Sequence, residues 1–336
     1  MEVPMNKRTK RAAWLLVLTV LAGMLCGGCS IGGSKIVITS GVGRRDVFKI
    51  GGDSCNVSEA RVYLANYQNI YGKSYGIDLW EKGFQKKKLT EYVKEVAMSE
   101  MTRIVCMDLL AENQEITLTD AEEAVVESSA KTYYASLTDA EKDYMGVSET
   151  DIAEMYHDYA LAQKVYGALT STVDEEVSDD EARIMEAMQI VVASEEKAKE
   201  VEQKLSGGED FAAVASNYNE AGTIEITFGR GELPSQVEKA AFELEDGEVS
   251  PAIPTDSGYY FIKCTNKFNE ELTDANKSNI VAAREKAAFD DVYDAFVSGL
   301  SSSLNEKIWD SIELVTDGSI KTDSFFQVID EALGDI

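Results

Sequence analysis

Between Met188 and Cys264 the apolar period of the chain changes at nearly every turn signal, and few folds accept the resulting order. Met188 to Val192 is a short apolar run rich in branched residues, the pattern of a buried strand. Ser194 then caps a helix in which Ala198, Val201 and Leu205 recur at helical spacing, and Gly207-Gly208 ends it. Asp210 opens a second short helix with Phe211, Val214 and Ala215 on its apolar face. Ile224, Ile226 and Phe228 alternate with polar residues as in a half-buried strand, which Gly229-Arg230-Gly231 breaks. A helix from Ser235 to Phe242, a turn at Gly247 and a final apolar strand from Tyr259 to Cys264 complete the series. The order is strand, two helices, strand, helix and two closing strands, a small α+β unit.

The flanks carry helical periods instead. After a short strand at Val47–Ile50 and the Gly51-Gly52 turn, Ser58 is expected to cap a helix with Tyr63, Tyr67, Ile70 and Tyr71 on one face. A longer helix is expected from about Leu89 to Glu112, bearing Val93, Val96, Ile104 and Leu110. Thr119 and Glu122 form a capping-box pattern, and Ser148 starts a further helix with Ile152, Met155, Tyr159, Ala162, Tyr166 and Leu169 in register. Beyond the mixed segment, Thr273 is expected to cap a long helix that ends or bends near Gly299. Its apolar face needs the earlier helices for burial. The mixed unit therefore reads as an insertion in a discontinuous helical domain.

Composition narrows the function classes. Sixty Asp and Glu against 32 Lys and Arg give a net charge of −28, which repels nucleic acid phosphates, so no nucleic acid partner is expected. Once Cys26 and Cys29 are set aside, Cys55, Cys106 and Cys264 form neither a disulfide framework nor a zinc pattern and read as buried thiols. His157 is the sole histidine, and the sequence shows no second ligand for it, so it receives no catalytic role. Glu175-Glu176 and Asp179-Asp180 lack the spacing of a calcium loop and read as a solvated linker. No metal and no cofactor is expected.

At the amino terminus Lys7, Arg8, Lys10 and Arg11 precede an apolar stretch from Ala12 to Leu25, the shape of a secretory signal rather than a membrane span. The following Leu25-Cys26-Gly27-Gly28-Cys29 is similar to a bacterial lipobox, with Cys26 where leucine is usual. That resemblance implies removal of residues 1–28, lipidation at Cys29 and a tether over 29–45, and an ordinary signal peptide or an uncleaved anchor stays open beside it.

The run QIVVASEEKAKEVEQKLSGGEDFAAVASNY and the run FGRGELPSQVEKAAFELEDGEVSPAIPTDSGYYFIK together resemble the parvulin family of peptidyl-prolyl isomerases. The two histidine positions of that family's site are Gln189 and Tyr260 here, and the loop that carries its cysteine or aspartate is short, with Glu220 or Ala221 near that place. The resemblance implies a proline pocket of Gln189, Phe228, Leu233, Val237, Thr255 and Tyr260, in which Leu233 replaces a usual methionine and Val237 a usual phenylalanine. No catalytic residue is assigned. Prolyl isomerisation needs no nucleophile, only preferential binding of a twisted amide against a barrier of ~18–20 kcal/mol. Gln189 and Tyr260 could thus form a substitute hydrogen-bonding pair or be satisfied core polars.

The layout of signal, cysteine, helical part, parvulin-like unit and returning helix resembles the PrsA-type foldase lipoproteins and, more distantly, the SurA chaperones. It implies an α+β protein divided into a helical chaperone-like part at 46–178, a parvulin-like domain at 179–267 and a returning helix at 268–336. The expected function is an extracytoplasmic folding factor, lipid-anchored to the bacterial cell membrane, that binds unfolded or newly secreted polypeptides and has weak or absent isomerase activity. The alternative is an active parvulin-type peptidyl-prolyl isomerase.

Overall fold

In the computed structural model, residues 42–75 and 88–334 are described. The expected signal segment, Cys29 and most of the tether lie outside them. The described chain divides into two compact units, one formed by the residues up to Ser171 together with Phe289 onward, the other by Thr172–Ala288.

In the first unit, β1 (Asp46–Ile50) lies between β2 (Asp53–Asn56) and β7 (Ser302–Leu304) in a three-stranded antiparallel sheet. Strand β7 comes from the far end of the chain, so the sheet itself closes the unit. Helix α1 (Val57–Tyr75) is capped by Asn56, whose Oδ1 accepts from the Ser58 and Glu59 amides at 2.8 and 3.2 Å. Ser58 therefore sits inside the first turn rather than at the cap. Helix α2 (Leu89–Asn113) follows, and α3 (Asp120–Ser136) opens on the expected Thr119–Glu122 capping box. A second box, Thr138 with Glu141, starts the short α4 (Asp139–Met145), which Gly146 ends at φ 66°. Ser148 and Asp151 form the third, at the start of α5 (Glu149–Thr170).

The core of this unit centres on Phe325 of α12 (Phe325–Leu333), the last helix in the chain. Its ring lies 4.7 Å from Tyr156, 5.3 Å from Tyr133 and 5.6 Å from Tyr63. The Tyr156 hydroxyl donates to the Phe325 carbonyl at 2.6 Å, and Asn66 Oδ1 accepts from the Phe325 amide at 3.0 Å. Polar edges of the aromatic block are thereby satisfied where water is excluded. Between β7 and α12 lies the short α11 (Glu306–Ser311).

The second unit holds a four-stranded antiparallel sheet in the order β4-β3-β6-β5. After the one-turn α6 (Asp179–Ala182), β3 (Met185–Val192) runs through the middle beside β6 (Gly258–Asn266), with β4 (Glu225–Phe228) and β5 (Ile253–Thr255) at the edges. Alternation divides the central strands between two cores. Ile190, Val192 and Phe261 face α7 (Glu195–Ser206) and α8 (Phe211–Tyr218). Met185, Ala187, Ile262 and Cys264 face the other way, toward α9 (Ser235–Phe242). Ser194 and Asp210 cap α7 and α8 as expected.

Helix α10 (Glu270–Val297) starts earlier than its sequence suggests. Asn269 Oδ1 accepts from the Leu272 amide at 3.0 Å, whereas Thr273 is fully buried and its hydroxyl accepts from the Ile184 amide at 3.0 Å. Asn276 donates to the Ala182 carbonyl, and Arg284 reaches the Asp174 carbonyl and the Glu181 carboxylate. These bonds tie α10 as far as Arg284 to the 172–182 segment, within the compact unit Thr172–Ala288. Cys55, Cys106 and Cys264 are buried free thiols. Among the described residues, no helix is long and apolar enough to cross a membrane.

Candidate functional site

One face of the four-stranded sheet gathers the candidate pocket. Gln189 stands opposite Ile262, and Tyr260 opposite Val191, which makes Gln189 and Tyr260 diagonal neighbours on that face. They are not hydrogen-bonded to each other. The Gln189 amide nitrogen donates to the Thr223 carbonyl at 3.1 Å, and its backbone amide donates to the Ile224 carbonyl at 2.8 Å, so Gln189 is 8 % exposed and committed to holding the loop ahead of β4. Tyr260 is half-buried against the same core, beside Ile253 of β5.

The apolar walls come from β4 and α9. Phe228, opposite Met185 at the end of β4, is 3 % exposed and meets Phe242 edge-on at 5.6 Å. Val237 of α9 is wholly buried, so the smaller side chain there is enclosed by the core instead of widening an open mouth. Leu233, in the connection before α9, is half-buried and lines a cavity of about 570 Å³ with Arg183, Arg230, Lys239 and Phe242. Of the six candidates, Leu233 alone borders this cavity.

Thr255 shapes the end of the sheet. Its hydroxyl donates to the Gly258 carbonyl at 2.8 Å and accepts from the Ser257 amide at 3.3 Å, closing the β5–β6 hairpin. Gly258 has φ 138°, and a Cβ there would sit 2.5 Å from the Val192 carbonyl oxygen, so a bare backbone is needed for β6 to pass β3.

Glu220, near the place of the family's cysteine or aspartate, points into other bonds. It accepts from the Ala193 amide at 2.7 Å and pairs with Lys197. The Lys197 hydrogen bond, aided by Ala193, holds its carboxyl below the usual carboxylate range. Asn219 binds the rest of the loop, accepting from Val191 and donating to Thr223 at 2.9 Å in each case.

A cluster not singled out from the sequence borders the same cavity. Arg230, in the Gly-Arg-Gly break, forks onto Asp180 at 2.8 and 2.9 Å and lays its guanidinium 4.3 Å from the Phe242 ring centre, while Arg183 lies 5.1 Å from that ring. The stack fixes Phe242, and Phe242 in turn supports Phe228. Gly-Arg-Gly was legible as a strand break, but its aromatic partner twelve residues on gave no sequence signal.

The site thus offers an apolar floor, a half-buried phenol and a buried amide, with no imidazole anywhere in Thr172–Ala288. Such a surface can hold a proline ring and favour one amide geometry, and it has no group poised for nucleophilic or acid–base chemistry.

Residues 172–277 match the PPIC-type PPIASE domain. Foldase protein PrsA from Caldanaerobacter subterraneus subsp. tengcongensis is 27% identical over 270 residues, covering 72% of this chain and 83% of that protein. Foldase protein PrsA 3 from Bacillus anthracis is 39% identical over 120 residues, 34% of this chain and 42% of that protein. Among solved structures, the peptidylprolyl isomerase (PrsA) from Bacillus cereus matches at 24% identity and a TM-score of 0.38, covering 82% of this chain and 95% of that one.

Proposed function

We propose that this chain, a homologue of the PrsA foldases with a PPIC-type domain, is an extracytoplasmic protein-folding factor that binds unfolded secreted polypeptides while its parvulin-like domain turns prolines over weakly or not at all. The observation that carries the second half is the replacement of both family histidine positions, with Gln189 engaged by Thr223 and not by Tyr260. Without a hydrogen-bonded pair beneath the proline ring, the pocket keeps apolar grip and loses the polar floor that would hold a twisted amide.

The lipid anchor belongs to the same reading. Acylation at Cys29 after removal of residues 1–28 would hold the protein at the outer face of the cell membrane, where secreted chains emerge unfolded. Its support is the basic, apolar and small-residue order that ends at Cys29.

Magnetisation-exchange spectroscopy on a short peptide with one Xaa-Pro bond tests the enzymatic half, because the uncatalysed reaction takes ~10–100 s at 25 °C and slight catalysis stands out. With the wild-type chain we expect exchange barely above background, lost altogether in Leu233→Ala. Exchange brought into the millisecond range by catalytic amounts of wild-type protein would make the chain an isomerase first.

A further inference from the structure

Far along the sequence from the proline pocket, the first unit holds a set of side chains that its function leaves unused. Helix α5 presents His157 and Asp158 next to each other, and α2 brings Asp108 to them, so that a ring nitrogen and one oxygen of each carboxylate lie within 4.8 Å of one another. Sequence reading missed the group because Asp108 and His157 lie on separate helices. His157 Nδ1 is 3.3 Å from Asp158 Oδ1, while Nε2 faces Glu123 Oε1 of α3 at 3.4 Å. Both aspartates are half-buried, and Asp108 makes no hydrogen bond or ion pair with a cationic side chain among the described residues.

An imidazole and two carboxylates, all half-buried and brought together by two helices, are groups that are usually paired with a cation or neutralised.

We propose that Asp108, His157 and Asp158 form a binding site for a divalent transition-metal ion of the zinc or manganese type. His157 would ligate through Nδ1, and its Nε2–H would point at Glu123, the carboxylate-to-imidazole orientation that fixes metal-bound histidines in general. Ligand bonds of about 2.0–2.2 Å require the three donor atoms to draw closer than they stand, a change within reach of the half-buried Asp108 side chain. Three donors leave positions for water. An imidazole in the set disfavours calcium and magnesium, which prefer oxygen throughout. A bound ion would join α2 to α5 and thereby stabilise the first unit by mass action. The inference is independent of the proline site and of any isomerase activity.

Calorimetric titration of the chelator-stripped full chain with Zn²⁺, Mn²⁺ and Ca²⁺, each repeated on Asp108→Asn and His157→Gln, tests it, with Co²⁺ as a visible-absorption probe of nitrogen ligation. We expect one saturable Zn²⁺ or Mn²⁺ site, weakened at least about 10- to 100-fold in both variants, and a weaker loss in Glu123→Gln. Circular dichroism of the metal-free variants should match the wild type, since both substitutions are close in shape. An equal affinity for Ca²⁺, binding unchanged in both variants, or no saturable site in a folded wild-type chain would each overturn the assignment.

Discussion

Gly258 shows how one missing side chain fixes the geometry of the candidate pocket. With φ at 138° and the Val192 carbonyl 2.5 Å from where a Cβ would stand, Gly258→Ala forces β6 away from β3 just ahead of Tyr260. Backbone strain of this kind costs about 1–3 kcal/mol, and the steric contact adds to it. We expect the variant to lower the melting temperature of the second unit while circular dichroism still reports the helices of the first, and an unchanged melt would show that the hairpin can shift without cost. At the same scale the sequence marks Gln189 as a candidate site position but carries no sign of its hydrogen bond to Thr223. Which carbonyl a buried amide finds depends on the path of the 219–224 loop, and only the folded chain supplies it.

At the scale of the element, capping was legible where the cap and its helix are local. Thr119 and Ser148 were read correctly because the capping box is contained in four consecutive residues. Thr273 misled because its hydroxyl is spent on Ile184, eighty-nine residues away, and Ser58 misled because the asparagine two residues ahead takes the cap. Helix α12 was not anticipated at all, although its Phe325 is central to the core of the first unit. Its docking also carries a titration. Asp330 accepts from the Tyr159 hydroxyl at 2.8 Å, and burial first, then Glu100 and Glu331, pushes its carboxyl up to about 6 despite that bond. A folded value above the unfolded one means the native state holds the extra proton between about pH 4 and 6, so this group costs stability as pH rises through that window and costs most above it. Asp330→Asn keeps an acceptor for Tyr159 and removes the charge. Urea unfolding should therefore find the variant more stable at pH 7.5, by on the order of 1–3 kcal/mol, with the gap closing toward pH 4. A variant less stable at pH 7.5 would mean that the charge is paired after all.

Across the whole molecule, the second unit interrupts the first in sequence, and α10 runs from one into the other between Ala288 and Phe289. The α+β character and the insertion were legible because period changes and turn signals are local, whereas the bonds of Asn276 and Arg284 to partners 94 and 110 residues away left no sequence signal. Residues 172–288 expressed alone should unfold in one cooperative transition, and a shorter 179–267 segment should be less stable for want of these bonds. Equal stability of the two would place the functional boundary at the composition change instead. The central claim is that client protection and proline handling are separate tasks, with protection independent of the pocket around Leu233. Light scattering of a chemically unfolded secreted protein diluted into the full-length wild type or into Leu233→Ala tests it most directly. The account expects equal suppression of aggregation by both proteins, and loss of protection in Leu233→Ala, with its fold intact, would contradict it.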